Sequence, residues 1–179
     1  MDGRQKLDLK ALSYAALGLL YISLSWGMML GFANYSLLIM EKVDLINPWN
    51  YIPVILIASI WINDTMAYIV GSFIGKTPFS KISPKKTWEG TIGGAILCVV
   101  VMSIVAHYLF HFKWMPAIVI PVIAAVAGTA GDLLESKLKR LANVKDSGTM
   151  MPGHGGFMDR FDSLLLATPL VYLYIRLFV

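Results

Sequence analysis

The sequence predicts an all-α fold, a polytopic membrane bundle of about five helices with two polar loops on one side. Three observations point there. Of the 179 residues, 57% are hydrophobic and only 15% are charged, where a soluble domain carries about 25% charged residues. Apolar runs recur at close to the length of about 20 residues that a membrane helix needs. The charged residues are gathered into a few stretches between those runs. A soluble chain of this size would still need a polar surface, so lipid is the expected solvent.

The first run, Ala11–Met40, carries no charge and exceeds a signal-peptide core of about 7–15 residues. It follows Arg4, Lys6 and Lys10 and reads as one retained span, with Asn34 and Tyr35 as a point where it could bend. The second span runs from about Trp49 to Gly75 and contains Asp64. The third covers about Thr91–Phe110. The fourth covers about Trp114–Gly131 and continues past Asp132 as a polar helix. The fifth covers about Phe161–Val179. Neither a tandem repeat nor a hydrophilic second domain interrupts them, so residues 1–179 read as a single membrane-embedded domain.

Net charge is +4, and its placement is uneven. Lys76, Lys81, Lys85 and Lys86 share one side with Lys137, Lys139, Arg140, Lys145, Arg160 and the N-terminal basic residues. The other side holds Lys42, Lys113 and Arg176. Basic residues favour the cytoplasm. The N-terminus and the loops at about 76–90 and 132–160 are therefore expected inside, and the C-terminus outside. The single cysteine, Cys98, lies in an apolar run. It excludes an intrachain disulfide and a thiolate metal site and reads as a packing residue.

The stretch Gly131–Ser163 carries most of the chemistry. At the helical period, Asp132, Ser136, Lys139 and Asn143 fall on one face, with Leu134, Leu138 and Leu141 roughly opposite. A carboxylate suits a hard cation and an ammonium suits a phosphate; a solvated face with i,i+4 pairing is the other reading. Next comes Pro152-Gly153-His154-Gly155-Gly156. Its glycines allow close backbone approach to an anion, and His154 could bind phosphate or move a proton; a tight interhelical turn is the alternative. Asp159 and Asp162 then share a face at the start of the last span, where acids also suit the helix dipole. If the fourth and fifth spans are neighbours, Asp132 and Asp159 could hold Mg²⁺ together and leave positions open for substrate phosphates.

Two further stretches contribute. Lys85 and Lys86, in Ile82–Gly90, could meet a nucleotide's phosphates or anionic lipid headgroups. Asp64 lies inside a span, where a charge costs roughly 2.5–3.5 kcal/mol and usually marks a polar cavity or a partner. No phosphate-binding glycine loop of the Walker type and no dinucleotide fingerprint is present.

Taken together, these residues resemble the phosphatidate cytidylyltransferases, or CDP-diacylglycerol synthases. That family's signature is matched by Ser136, Lys139-Arg140, Lys145-Asp146, His154-Gly155-Gly156, Asp159-Arg160 and Asp162 at the family's spacing. The stretches Ser83–Gly90 and Trp61–Tyr68 are similar to the family too, with Met66 where glycine is common and Met151 where Ile or Leu is usual. Family members typically carry additional N-terminal spans, and this chain is expected to begin after them.

The resemblance implies transfer of a cytidylyl group from CTP to phosphatidate at the cytoplasmic face of the cell (inner) membrane. It implies Asp132 and Asp159 as ligands of Mg²⁺, with a second cation possible, and Asp162 as a third ligand or a supporting residue. Ser136, Lys139, Arg140 and His154 would orient or neutralise phosphates, and Lys85, Lys86 and Asp64 would line the substrate site. The expected partners are CTP, phosphatidate and membrane lipids, with a homodimer as one possible assembly and no nucleic acid. A transferase for another lipid phosphate, such as the CDP-archaeol synthases, and a catalytically silent membrane subunit are the alternatives.

Overall fold

The structure, a computed structural model, describes residues 9–33, 48–80, 83, 85–144, 147–148 and 156–179. The described residues form α1 (Leu9–Ala33), a 3-10 turn (Pro48–Tyr51) leading into α2 (Ile52–Ile74), α3 (Trp88–Tyr108), α4 (Trp114–Leu141) and α5 (Met158–Phe178). They contain no strand beyond one isolated bridge between Pro78 and Thr87. All five helices are long and apolar enough to cross a membrane. Helices satisfy their own backbone groups, which is what a span in lipid requires. Leu17, Leu30, Phe73, Ile96 and Val126 point outward from the bundle, as lipid-facing side chains do. The chain is a multi-pass membrane protein.

Small residues set the packing. The pairs α2–α3 and α4–α5 are the most closely packed, α4 also meets α3 and α2, and α1 lies against α5. A Cβ on Gly90 would stand 2.6 Å from the Ala67 carbonyl oxygen, and one on Gly94 would stand 2.6 Å from the Ala67 Cα. Glycine at those positions lets α3 touch the α2 backbone, the way small residues join membrane helices where burial from water supplies no drive. Cys98 is buried at the same contact and donates to the Ser59 carbonyl at 3.1 Å. α1 is fixed to α5 by Ser25, whose hydroxyl donates to the Leu165 carbonyl at 2.6 Å. Trp26 adds an edge contact to Phe161, with ring centroids 5.1 Å apart.

Two helix starts come earlier than hydropathy predicts. α3 begins at Trp88 because Thr87 caps it, its hydroxyl accepting from Gly90 N at 3.2 Å. α5 begins at Met158, which puts Asp159 inside the first turn. α4, by contrast, stops at Leu141. Asn143 has φ 56° and donates from its N–H to the Arg140 carbonyl at 3.1 Å. Asn143 therefore closes the helix in a left-handed conformation, a common use of Asn, and does not extend the polar face expected of it.

Candidate active site

α2 from Ile57 onward, the C-terminal half of α4 and the starts of α3 and α5 flank a cavity of about 960 Å³, within the range of small-molecule sites. Its walls are mixed in character. Ser83, Lys85, Lys86 and Thr87 line it from the α2–α3 loop; Asp64, Asp132, Asp159 and Asp162 add carboxylates; Ile57, Ile60, Trp61 and Leu164 supply apolar wall. Four carboxylates thus face three cationic lining residues, Lys85, Lys86 and Arg160.

The α2–α3 loop is built to hold its lysines in place. The Glu89 carboxylate accepts from Lys76 N at 3.2 Å, Thr77 N at 3.1 Å and Thr77 Oγ1 at 2.8 Å. Phe79 N donates to the Lys86 carbonyl at 2.7 Å, and Trp88 N to the Thr77 carbonyl at 3.0 Å. Phe79 packs on Trp88 with ring centroids 4.4 Å apart. From this frame Lys86 reaches across to pair with the Asp132 carboxylate, while Lys85 stays exposed.

On the other side, Asp159 ties the α4–α5 junction. Its Oδ1 accepts from Lys139 Nζ at 2.6 Å. Its Oδ2 accepts from Ser147 N and Ser147 Oγ, each at 2.9 Å, and from Gly156 N at 2.6 Å. A Cβ on Gly156 would lie 2.6 Å from Gly148 N and 2.8 Å from the Ser147 carbonyl carbon, so only glycine fits between the two loop ends. Lys139 also donates to Glu135 Oε2 at 3.2 Å.

The structure brings Asp64, Lys85, Lys86, Asp132, Asp159 and Asp162 to one cavity. Lys139 joins them through Asp159. Ser136 is half-buried and Arg140 exposed on α4, and neither is among the lining residues. His154 and the glycines before and after it, Gly153 and Gly155, lie outside the described residues, as do Lys145 and Asp146.

Three polar residues that the sequence did not single out also take part. Glu135 is only 6% exposed, its Oε1 has no hydrogen-bond partner among the described residues, and its charge is felt by Asp162. Its i,i+4 spacing to Lys139 was the signal available for it. Asn63 and Thr129 meet across α2 and α4 at the cavity wall; nothing in their local sequence announces the pair.

A divalent cation fits this donor set. Asp132 and Asp159 offer hard carboxylate oxygens on adjacent helices, and each pairs with an ammonium group. Among the described residues no three His, Cys, Asp or Glu side chains gather tightly enough to form a metal cage. Mg²⁺ is usually held by one or two carboxylates together with water and substrate phosphates.

The model of the cytidylyltransferase family matches residues 4–178. A phosphatidate cytidylyltransferase of Bacillus subtilis is 43% identical over 123 residues, 66% of this chain and 45% of that protein. One from Synechocystis is 41% identical over 127 residues, 70% of this chain and 43% of that protein. The chloroplastic phosphatidate cytidylyltransferase 4 of Arabidopsis thaliana is 41% identical over 114 residues, 63% of this chain and 29% of that protein. The chain thus spans less than half the length of these relatives. With a match running nearly from end to end, it belongs to the cytidylyltransferase family.

Proposed function

We propose that this chain transfers the cytidylyl group of CTP to phosphatidate, releasing pyrophosphate and forming CDP-diacylglycerol. The observation that carries this reading is one cavity lined at once by loop lysines, four carboxylates and apolar wall. Nucleotide phosphates suit the lysines and carboxylates, and the apolar wall suits an acyl chain or a base. A phosphate oxygen of the lipid attacks the α-phosphorus of CTP, the new P–O bond forms, and the bond to the β-phosphate breaks. Both reactants are anionic, while lining carboxylates outnumber lining cations. The lysines alone leave that repulsion unbalanced, so Asp132 and Asp159 are assigned to Mg²⁺. When bound, the cation supplies neutralisation and alignment of phosphate oxygens.

The chain's own groups do the rest. Lys86, held against Asp132 by the loop frame, is placed to meet nucleotide phosphates as a point charge. Lys139 steadies Asp159 and, with His154, neutralises charge on the departing pyrophosphate. Asp162 supports the carboxylate pair from the next turn of α5. No side chain is needed as nucleophile, because the lipid phosphate is already ionised.

The test is purified protein in lipid with labelled CTP, phosphatidate and Mg²⁺. CDP-diacylglycerol is expected only when all three are present. Product in EDTA, or equal use of ATP, would remove the mechanism; no product from folded protein would favour a silent subunit. The site is further assigned to the cytoplasmic face of the cell membrane. Cysteines placed at Ser80 and Lys137, in a Cys98→Ser background, should react with a membrane-impermeant label only from the cytoplasmic side. Labelling of both from outside would separate the site from its CTP supply.

A further inference from the structure

Asn63 is 3% exposed, lies in a membrane span and lines the cavity. Its amide is held one way round. The Thr129 hydroxyl donates to the Ala125 carbonyl at 2.8 Å, so its oxygen is left to accept from Asn63 Nδ2, at 3.5 Å. Asn63 Oδ1 is then the free end, and it is buried with no hydrogen-bond partner among the described residues. A buried acceptor left unmatched is costly, which marks it as waiting for a donor.

Position narrows what that donor is. Thr129 precedes Asp132 by three residues on α4, which sets it about 4.5 Å further along the helix axis. The amide therefore lies just beyond the carboxylates. Trp61 and Phe161 line the same cavity and offer aromatic faces, the kind on which a base can stack. An acyl chain would be at home among them but could not satisfy an amide oxygen.

We propose that Asn63 selects the nucleotide's base, its Oδ1 accepting from the exocyclic amine of cytosine. Thr129 is the positioning residue that keeps the acceptor end forward. Uracil presents a carbonyl at the same place, and two acceptors would face each other. This inference rests on the nucleotide reading of the cavity.

The test crosses a deletion in the protein with one in the ligand. kcat/KM is measured for CTP and for the 2-pyrimidinone nucleoside triphosphate, which lacks the amine, in wild type and Asn63→Leu. Wild type should prefer CTP by roughly 10- to 100-fold, the scale of one buried, unmatched polar group, and Asn63→Leu should bring the ratio near one. Thr129→Val should give a smaller fall in the same ratio, a second reading should the leucine variant fail to fold. A wild type indifferent to the amine overturns the proposal, as does a folded Asn63→Leu that keeps the full preference. Equal loss with both nucleotides also overturns it, assigning the amide to sugar, phosphate or lipid. Titrating wild type with each nucleotide in the absence of phosphatidate separates the two readings. Preferential CTP binding without turnover would fail the transferase reading and leave this one standing, whereas turnover of both nucleotides alike would fail this one alone.

Discussion

The α2–α3 and α4–α5 junctions solve the same problem with the same device. Each follows its loop with an acidic residue in the first turn of the next helix, and that carboxylate gathers loop N–H and hydroxyl donors. Glu89 takes Lys76 N, Thr77 N and Thr77 Oγ1; Asp159 takes Ser147 N, Ser147 Oγ and Gly156 N. The difference is what else the carboxylate touches. Asp159 lines the cavity and holds the Lys139 ammonium, whereas Glu89 is not among the lining residues. One helix start therefore lines the cavity, while the other frames the loop that carries Lys85 and Lys86. An acid at a helix start is thus no sign of a site by itself; its second partner decides.

The strongest way to break that contrast is at the carboxylates. Asp159→Asn and Asp132→Asn keep size and remove a hard-cation ligand. Each should lower kcat/KM by about 10²–10³-fold, the scale of losing one group aimed at transition-state charge. The double change should be little worse than either single one, because residues acting as a unit are not additive. Residual turnover should demand more Mg²⁺. Lys139→Ala should slow the reaction without that metal defect. Near-full activity at low Mg²⁺ in either Asn variant would return Asp159 to the same purely structural role as Glu89.

A smaller effect is expected where the α4–α5 loop is pinned. In Gly156→Ala the new Cβ meets the Ser147 side chain and also Gly148 N, at 2.6 Å. The loop must move off Asp159, and activity should fall about 10- to 100-fold, as when support for a metal ligand is lost. Ser147→Ala should not rescue it, because the backbone clash with Gly148 remains. Rescue would mean that only the serine side chain was in the way.

The same contrast shows what the sequence could and could not convey. Hydropathy gave five spans in the right order, because lipid imposes length and apolarity on each. The expectation that Asp132 and Asp159 meet rested on the fourth and fifth spans being neighbours, and α4 and α5 do pack together. Helical periodicity failed at Asn143, since a period fixes a face but not the residue where the helix turns left-handed. It passed over Glu135, which reads as half of a surface i,i+4 pair yet is buried beside Asp162. Asn63 and Thr129 lie 66 residues apart. Their meeting depends on how α2 crosses α4, which no local pattern records.

The smallest effect sharpens the comparison from the structural side. Glu89→Gln keeps the shape of the side chain but replaces one acceptor oxygen with an NH₂ group. That group faces Lys76 N and Thr77 N, which are themselves donors. The loop frame should loosen without collapsing, because Trp88 N to Thr77 O and Phe79 N to Lys86 O are unchanged in chemistry. Lys85 and Lys86 would then be presented less steadily to the nucleotide. KM for CTP should rise about threefold to fivefold with kcat nearly kept, the pattern of lost uniform binding when charge-assisted hydrogen bonds weaken. The Mg²⁺ requirement should not move, since Glu89 touches neither Asp132 nor Asp159. A steady-state titration of CTP at several Mg²⁺ concentrations reads both quantities at once. If Glu89→Gln shifts the Mg²⁺ requirement as far as Asp159→Asn does, the two junctions are not divided between frame and chemistry, and the α2–α3 loop would have to be placed within the metal site.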